Sequence, residues 1–213
     1  MTWVETASGR RVDLMNPTPE DICPRDIAHH LAILNRFSGA THAPLSIAQH
    51  SLLVLEIAES TIRNMDLEPS ISTAIRRYAL LHDAHEAYKG DDSSPKKRAL
   101  RNLSDGNSPI SMLEIALDQA IFSRFALAWP TPKAWADIVK KADLIALATE
   151  RRDLMNSKQS WPCLRGITPW PQIVKPLHWS AAEEAFHARL LQLIDAAHEV
   201  RFQTALSLKS KAA

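Results

Sequence analysis

The sequence predicts an all-α, single-domain fold with a minor N-terminal hairpin. Three observations carry that prediction. Apolar residues recur at helical spacing through most of the chain, as in IAQHSLLVLEIA, where Ile47, Leu53, Val54, Ile57 and Ala58 follow that spacing. Only 5 glycines occur in 213 residues, few for the special turns of an all-β or doubly wound fold. Strand-like alternation is confined to the first residues of the chain.

Taken in order, Trp3, Val4 and Thr6, the Ser8–Gly9 turn, then Arg11, Val12 and Leu14 form the expected hairpin. The Pro-rich NPTPEDICP leads into a helix that Asp26 would cap and that would run to about Phe37. Ser38–Pro44 reads as a loop. Ser46 opens the next helix, which breaks at Glu68–Ser70. Ile71 to Tyr88 reads as one helix ended near Gly90, with DDSSPKKR as a loop. Ser108 to Ala128 is again amphipathic, PTPK interrupts, and Pro132 to about Met155 is helical. A Pro- and Trp-rich connection over 156–179 wraps the surface, its tryptophans serving as packing anchors. Ser180 would cap a last helix from Ala181 to about Leu206, ahead of a frayed tail. The functional core is expected over 26–155.

Lys plus Arg (25) nearly cancel Asp plus Glu (24), which argues against a general nucleic-acid surface or an acidic tail. No Gly-rich phosphate loop is present. Cys23 and Cys163 lie far apart without CxxC spacing, as expected in a reducing compartment. The N-terminal residues lack the apolar core of a signal peptide, and no apolar run approaches a membrane span. A cytoplasmic protein with no membrane partner is expected.

The stretch Tyr78–Asp91, YALLHDAHEAYKGD, starts as a buried helix and then carries His82, Asp83, His85 and Glu86. Such groups are expensive to bury without partners. On a helix, residues three or four apart share a face, so His82, Asp83 and Glu86 would point into one pocket. Alone, the stretch reads equally well as a partly exposed polar face. His50 and Asp143 are similar anomalies inside apolar helices, and Arg36 ends the helix before His50. A lone histidine on an apolar face is more often a satisfied core residue, and a lone aspartate more often the partner of a nearby Lys or Arg. A shared metal would account for these positions together. Imidazole nitrogens and carboxylate oxygens are suitable ligands, and an ion offsets buried negative charge.

The ordered series His50, His82–Asp83 and Asp143, in the contexts IAQHS, LLHDAHEAYKGD and KKADLIALATERRDL, resembles the HD-domain metal-dependent phosphohydrolases. The similarity covers roughly Asp26 to Asp153 and is nearest to the small 5′-deoxynucleotidase-like and dNTP triphosphohydrolase members. It implies one divalent ion held by His50, His82, Asp83 and Asp143. It also implies hydrolysis of a nucleotide phosphate, a 5′-(deoxy)nucleoside monophosphate first and a dNTP second, by a homo-oligomer. Glu86 matches a catalytic glutamate, and Asp91 an acid beside the sugar. Arg36 matches an arginine facing the substrate, and Lys97 a lysine near the phosphates; both otherwise read as surface cations. Phe37 stands where those nucleotidases have a tryptophan that helps exclude a 2′-hydroxyl, and this departure weakens the expectation of deoxyribose selectivity. Imidazole ligands favour Mn, Fe, Co, Ni or Zn over Mg.

The acidic pair of alarmone hydrolases is missing from HDAHEAYKGD, and Ser51–Tyr78 holds none of the histidines of tandem-metal variants. His85 is left with either a supporting hydrogen bond or a plain polar role, and His29, His30 and His42 with none. Glu150, Arg151, Arg152 and Asp153 read as a solvated, salt-bridged face. Two readings without catalysis stay open: a silent nucleotide sensor, and a helical adaptor whose polar residues pair among themselves.

Overall fold

Val12, fully buried, anchors the N-terminal hairpin to the helices. Strands β1 (Trp3–Glu5) and β2 (Arg11–Asp13) pair antiparallel in the register Trp3↔Asp13, Val4↔Val12, Glu5↔Arg11. The computed structural model describes residues 1–211, with side chains through residue 203. The rest is helical: α1 (Pro24–Ile33), α2 (Ile47–Ile62), α3 (Pro69–Leu81), the single turn α4 (Glu86–Lys89), α5 (Ser94–Leu103), α6 (Pro109–Arg124), α7 (Lys133–Leu154) and α8 (Trp179–Lys211). The all-α class with a small hairpin therefore holds.

Several boundaries differ from expectation, each for a local reason. Asp26 does not cap α1, because Cys23 is the N-cap. The Asp26 carboxylate is buried in the first turn and accepts from the Ser8 amide at 3.0 Å and the Ser8 hydroxyl at 2.7 Å, tying hairpin to helix. α1 stops at Ile33 rather than Phe37 because the chain turns to pair with itself. The Arg36 amide donates to Leu45 O at 2.8 Å, and the Ile47 amide donates to Leu34 O at 3.1 Å. Ser46 does cap α2, accepting from the Gln49 amide at 3.2 Å.

The expected helix Ile71–Tyr88 breaks at His82–His85. There the amides of Ala84, Glu86, Ala87 and Tyr88 bond three residues back, the tighter 3₁₀ pattern. DDSSPKKR is a loop only over residues 91–93: Ser93 is the N-cap and Pro95 lies in the first turn of α5, where a missing amide proton does no harm. α8 starts at Trp179, so Ser180 lies inside its first turn, with its hydroxyl 2.8 Å from His178 Nδ1. It continues through Lys211. The part of the expected frayed tail at 212–213 lies outside the described residues.

α2 packs between α3 and α7, and α8 lies across α1 and α3. Ile47, Val54 and Ile57 of α2, Leu80 and Leu81 of α3, Ala142 and Ala146 of α7, and Phe186 and Leu190 of α8 share one connected core. Each large apolar side chain so buried contributes roughly 1.5–3 kcal/mol. That is enough to draw a few polar groups out of water with it, provided they are paired. The small Ala142 and Ala146 let α7 come close to α2 and bring Asp143, between them, toward His50. The 156–179 connection runs along α7 and α2. Arg152 donates to Trp170 O and Gln172 O, Trp170 N donates to Thr149 Oγ1, and Gln49 exchanges bonds with Lys175 O and Leu177 N. Among the described residues, no helix is long and apolar enough to cross a membrane.

Candidate metal centre

His50 projects from the middle of α2 and is 0% exposed. Its Nδ1–H donates to Glu150 Oε1 at 2.7 Å, which turns Nε2 toward the cluster. His82, the residue after α3, donates Nδ1–H to Ala79 O at 2.8 Å, so its Nε2 likewise faces the cluster. The two Nε2 atoms are 3.2 Å apart. Asp83 Oδ2 lies 3.2 Å from His82 Nε2 and 3.6 Å from His50 Nε2, and Asp143 Oδ1 lies 3.4 Å from His50 Nε2. Two ligands each about 2.1 Å from one ion sit about 3.0–3.4 Å apart at octahedral or tetrahedral angles. The observed separations fall close to that range. Both histidines also have Nδ1 fixed by an oxygen, the usual arrangement behind a metal-bound imidazole. His50, His82 and Asp83 each bring one ligand atom to within 4.8 Å of the others and can therefore hold a metal ion. Asp143 meets His50 but lies outside that group, and its Oδ2 accepts from Lys140 Nζ at 2.7 Å, the lysine partner a lone aspartate is expected to have.

The electrostatics point the same way. Burial alone would hold the His82 ring neutral, but the Asp83 charge and hydrogen bond outweigh it and push its pKa up to about 9. His50 is also raised: burial and Arg36 oppose its charge, and Glu150 and Asp143 overcome them. Asp83 and Asp143 both lie well below the usual carboxylate range, despite burial, because the two imidazoles face them. The cluster thus gathers positive charge between its carboxylates, the role a divalent cation fills when ligand protons leave.

The helix break changes how Asp83 and Glu86 meet, though not that they meet. In a 3₁₀ turn, residues three apart eclipse. Asp83, His85 and Glu86 each bring one ligand atom to within 4.8 Å of the others. Glu86 is buried, and its Oε2 lacks a hydrogen-bond partner among the described residues. Burial, with Asp83 and Asp91 nearby, pushes its pKa up to about 9. Asp91 is half-buried and also raised, mainly by burial.

Arg36 is at the cluster: its Nε donates to Glu150 Oε2 at 3.2 Å, and its Nη1 is 3.7 Å from Asp83 Oδ2. Phe37 lies beside it, 5.2 Å from ring centroid to the guanidinium carbon, and faces Trp161 at 6.3 Å. Lys97 is elsewhere. Its ammonium donates to Glu114 Oε1 at 3.0 Å, in a neighbouring group with Lys89, His85 and Asp118. His85 is buried rather than a surface residue, and its Nδ1 is 2.8 Å from Asp118 Oδ1.

Glu150 overturns the expectation of a solvated face at 150–153. It is 0% exposed, and burial would raise its pKa, but Arg36 and His50 hold it below the usual range. Arg152 and Asp153 do pair at 2.6 Å, with the Asp153 carboxylate largely covered and also accepting from the Val174 amide at 2.8 Å. One signal could have found Glu150: it follows Asp143 by seven residues, two helical turns, and so shares its face. His29 and His30 have structural partners, Glu183 at 2.9 Å and the Ala87 carbonyl at 2.6 Å.

No family model matches the chain. An uncharacterized protein of Rhodobacter capsulatus is 36% identical over 154 residues, 71% of this chain and 72% of the relative. The uncharacterized protein YfdR of Escherichia coli is 33% identical over 168 residues, 78% of this chain and 81% of YfdR. The chain belongs to their family. Neither relative's name carries an activity, so this family membership leaves the chemistry to be argued from the centre itself.

Proposed function

We propose that the chain is a metal-dependent phosphohydrolase of the HD-domain type acting on a nucleotide, with a 5′-(deoxy)nucleoside monophosphate as first substrate. The observation that carries this reading is the gathering of His50, His82, Asp83 and Asp143 with both Nδ1 atoms already committed. His50 Nε2, His82 Nε2 and one oxygen each of Asp83 and Asp143 would hold the ion. This donor set suits Mn, Fe, Co, Ni or Zn better than Mg. When bound, such an ion supplies a water of lowered pKa and polarises a phosphoryl oxygen.

The remaining steps belong to the chain's own side chains. The Nη edge of Arg36, turned toward Asp83, offers paired donors to phosphate oxygens. Glu86, protonated at neutral pH, gives its proton to the leaving ester oxygen as water adds to phosphorus, and the phosphorus–oxygen bond breaks to release nucleoside and phosphate. Asp91 reads a sugar hydroxyl, and Phe37 with Trp161 walls the approach on the Arg36 side. The commitments of nearby lysines favour a monophosphate over a triphosphate. Lys89 and Lys97 are paired with Glu114, and Lys89 and Lys96 with Asp92, so a polyphosphate would compete with these carboxylates for its cations. We place the reaction in the cytoplasm, where Cys23 and Cys163 stay as thiols, and expect a homo-oligomer with no nucleic-acid polymer or membrane as partner.

A panel of nucleoside mono- and triphosphates with each divalent ion tests this reading, with phosphate, pyrophosphate and triphosphate measured separately. Inorganic phosphate from monophosphates is expected. Triphosphate from dNTPs would move the substrate class, and unchanged nucleotide with every ion would contradict hydrolysis.

A further inference from the structure

One carboxylate serves two functional groups at once. Glu150 Oε1 accepts from His50 Nδ1 at 2.7 Å, and Glu150 Oε2 accepts from Arg36 Nε at 3.2 Å. These side chains come from three separate places: α2, the turn after α1, and α7. All three are in a setting where a slack contact is expensive, because Glu150 and His50 are 0% exposed and Arg36 nearly buried. Each Glu150 oxygen fixes a different degree of freedom. The first sets the rotation and tautomer of the imidazole, and so the direction of its Nε2 lone pair. The second holds the inner edge of the guanidinium. With Nε engaged, the remaining donors sit on the outer edge, and Nη1 lies 3.7 Å from Asp83 Oδ2. Arg36 therefore presents its free edge to the cluster and not to solvent.

We infer that Glu150 is a positioning residue that sets both the metal-ligand geometry of His50 and the phosphate-binding geometry of Arg36. This rests on the metal-centre reading proposed above. Glu150 touches neither ion nor substrate, and its effect passes through the two side chains it holds. Glutamine has the same shape but one carbonyl acceptor and one amide donor. It can satisfy His50 or Arg36 and must turn an N–H against the other.

The experiment uses metal-stripped full-length protein and Mn²⁺ alone as the probe, by calorimetric titration, followed by inorganic phosphate added to the Mn²⁺-loaded form. Glu150→Gln is expected to weaken Mn²⁺ binding roughly 10–100-fold, the range for loss of a carboxylate behind a ligating histidine. It should also weaken phosphate binding at saturating Mn²⁺. Imidazole NMR of the metal-free protein should show loss of the strongly deshielded His50 Nδ1–H. Thr149→Val is the control for a purely structural lesion: Thr149 is buried beside Glu150 and, among the described residues, bonds Ile145 O and Trp170 N, so Mn²⁺ affinity should stay within about twofold. If Glu150→Gln does not fold, Glu150→Asp, which keeps the charge but is too short to reach both partners, is expected to show the same losses. Wild-type affinity for Mn²⁺ in the folded Glu150 variant would overturn the inference while leaving the metal centre intact. Absence of stoichiometric Mn²⁺ on the unmutated protein would overturn the metal reading and this inference together.

Discussion

Glu86 is a carboxyl group whose surroundings work against its charge. Buried beside Asp83 and Asp91, it has a folded-state pKa of about 9 against 4.5 for an ordinary glutamate. Below about pH 4.5 both folded and unfolded chains carry the proton, and the group is neutral toward stability. Between about 4.5 and about 9 the unfolded chain releases it and the folded chain keeps it, so stability declines as pH rises through that window. Glu86→Gln removes this penalty. In chelator at pH 7 the variant is expected to be more stable by on the order of 1–3 kcal/mol, with the difference vanishing near pH 4.5. Its turnover should drop by roughly 10²–10⁴-fold. Denaturant melts at several pH values, paired with steady-state rates, check both. Unchanged stability at pH 7 would mean that Glu86 is ionised in the fold, and near-normal turnover would remove it from the mechanism. A residue that destabilises the fold and raises the rate is an ordinary trade at a catalytic site.

α6 shows an element whose end the apolar pattern could not locate. The pattern carries on to Ala128, yet the helix stops at Arg124. The Ala126 amide donates to Ser123 O at 2.9 Å and the Leu127 amide to Phe122 O at 2.8 Å, the paired bonds of a Schellman motif. That motif places Ala126 in the left-handed region, at φ 49°. Glycine is the usual occupant of such a position, and its absence hid the stop. Ala126→Gly is expected to stabilise the protein by about 1 kcal/mol, read as a shift in the denaturation midpoint with unchanged slope. A loss of stability would mean that the Ala126 methyl packs more favourably than its backbone is strained. The break at His82–His85 was hidden differently. Neither Gly nor Pro marks it, and His82 and His85 at its two ends keep helical dihedrals, so the shortened hydrogen bonds are what betray it. α5 was missed for another reason: it is short and strongly polar, with a Ser-Pro start that reads as a turn, and it buries no residue.

At the scale of the whole molecule, the all-α class and the hairpin were legible because helical periodicity and scarce glycine speak for long segments at once. The meeting of His50, His82, Asp83 and Asp143 was legible because each is out of place in an apolar surrounding, whereas Arg36 was singled out by the family resemblance. Glu150 and Asp118 were not. Each looks like a surface acid in its own helix, and becomes a buried partner only when α7 meets α2, or when α6 meets the turn that carries His85. The Lys97–Glu114 pair was hidden for a related reason, since nothing local announces that Glu114 of α6 meets Lys97. The core brings the cluster together, and metal binding should return energy to the core: at a hundredfold excess over its dissociation constant, an ion specific to the folded state adds about 2.7 kcal/mol of stability. The most direct test is an anomalous diffraction map from crystals equilibrated with Mn²⁺. One ion per chain is expected, within about 2.0–2.3 Å of His50 Nε2, His82 Nε2 and one oxygen each of Asp83 and Asp143. A map with no peak among these four side chains at saturating Mn²⁺ would contradict the account.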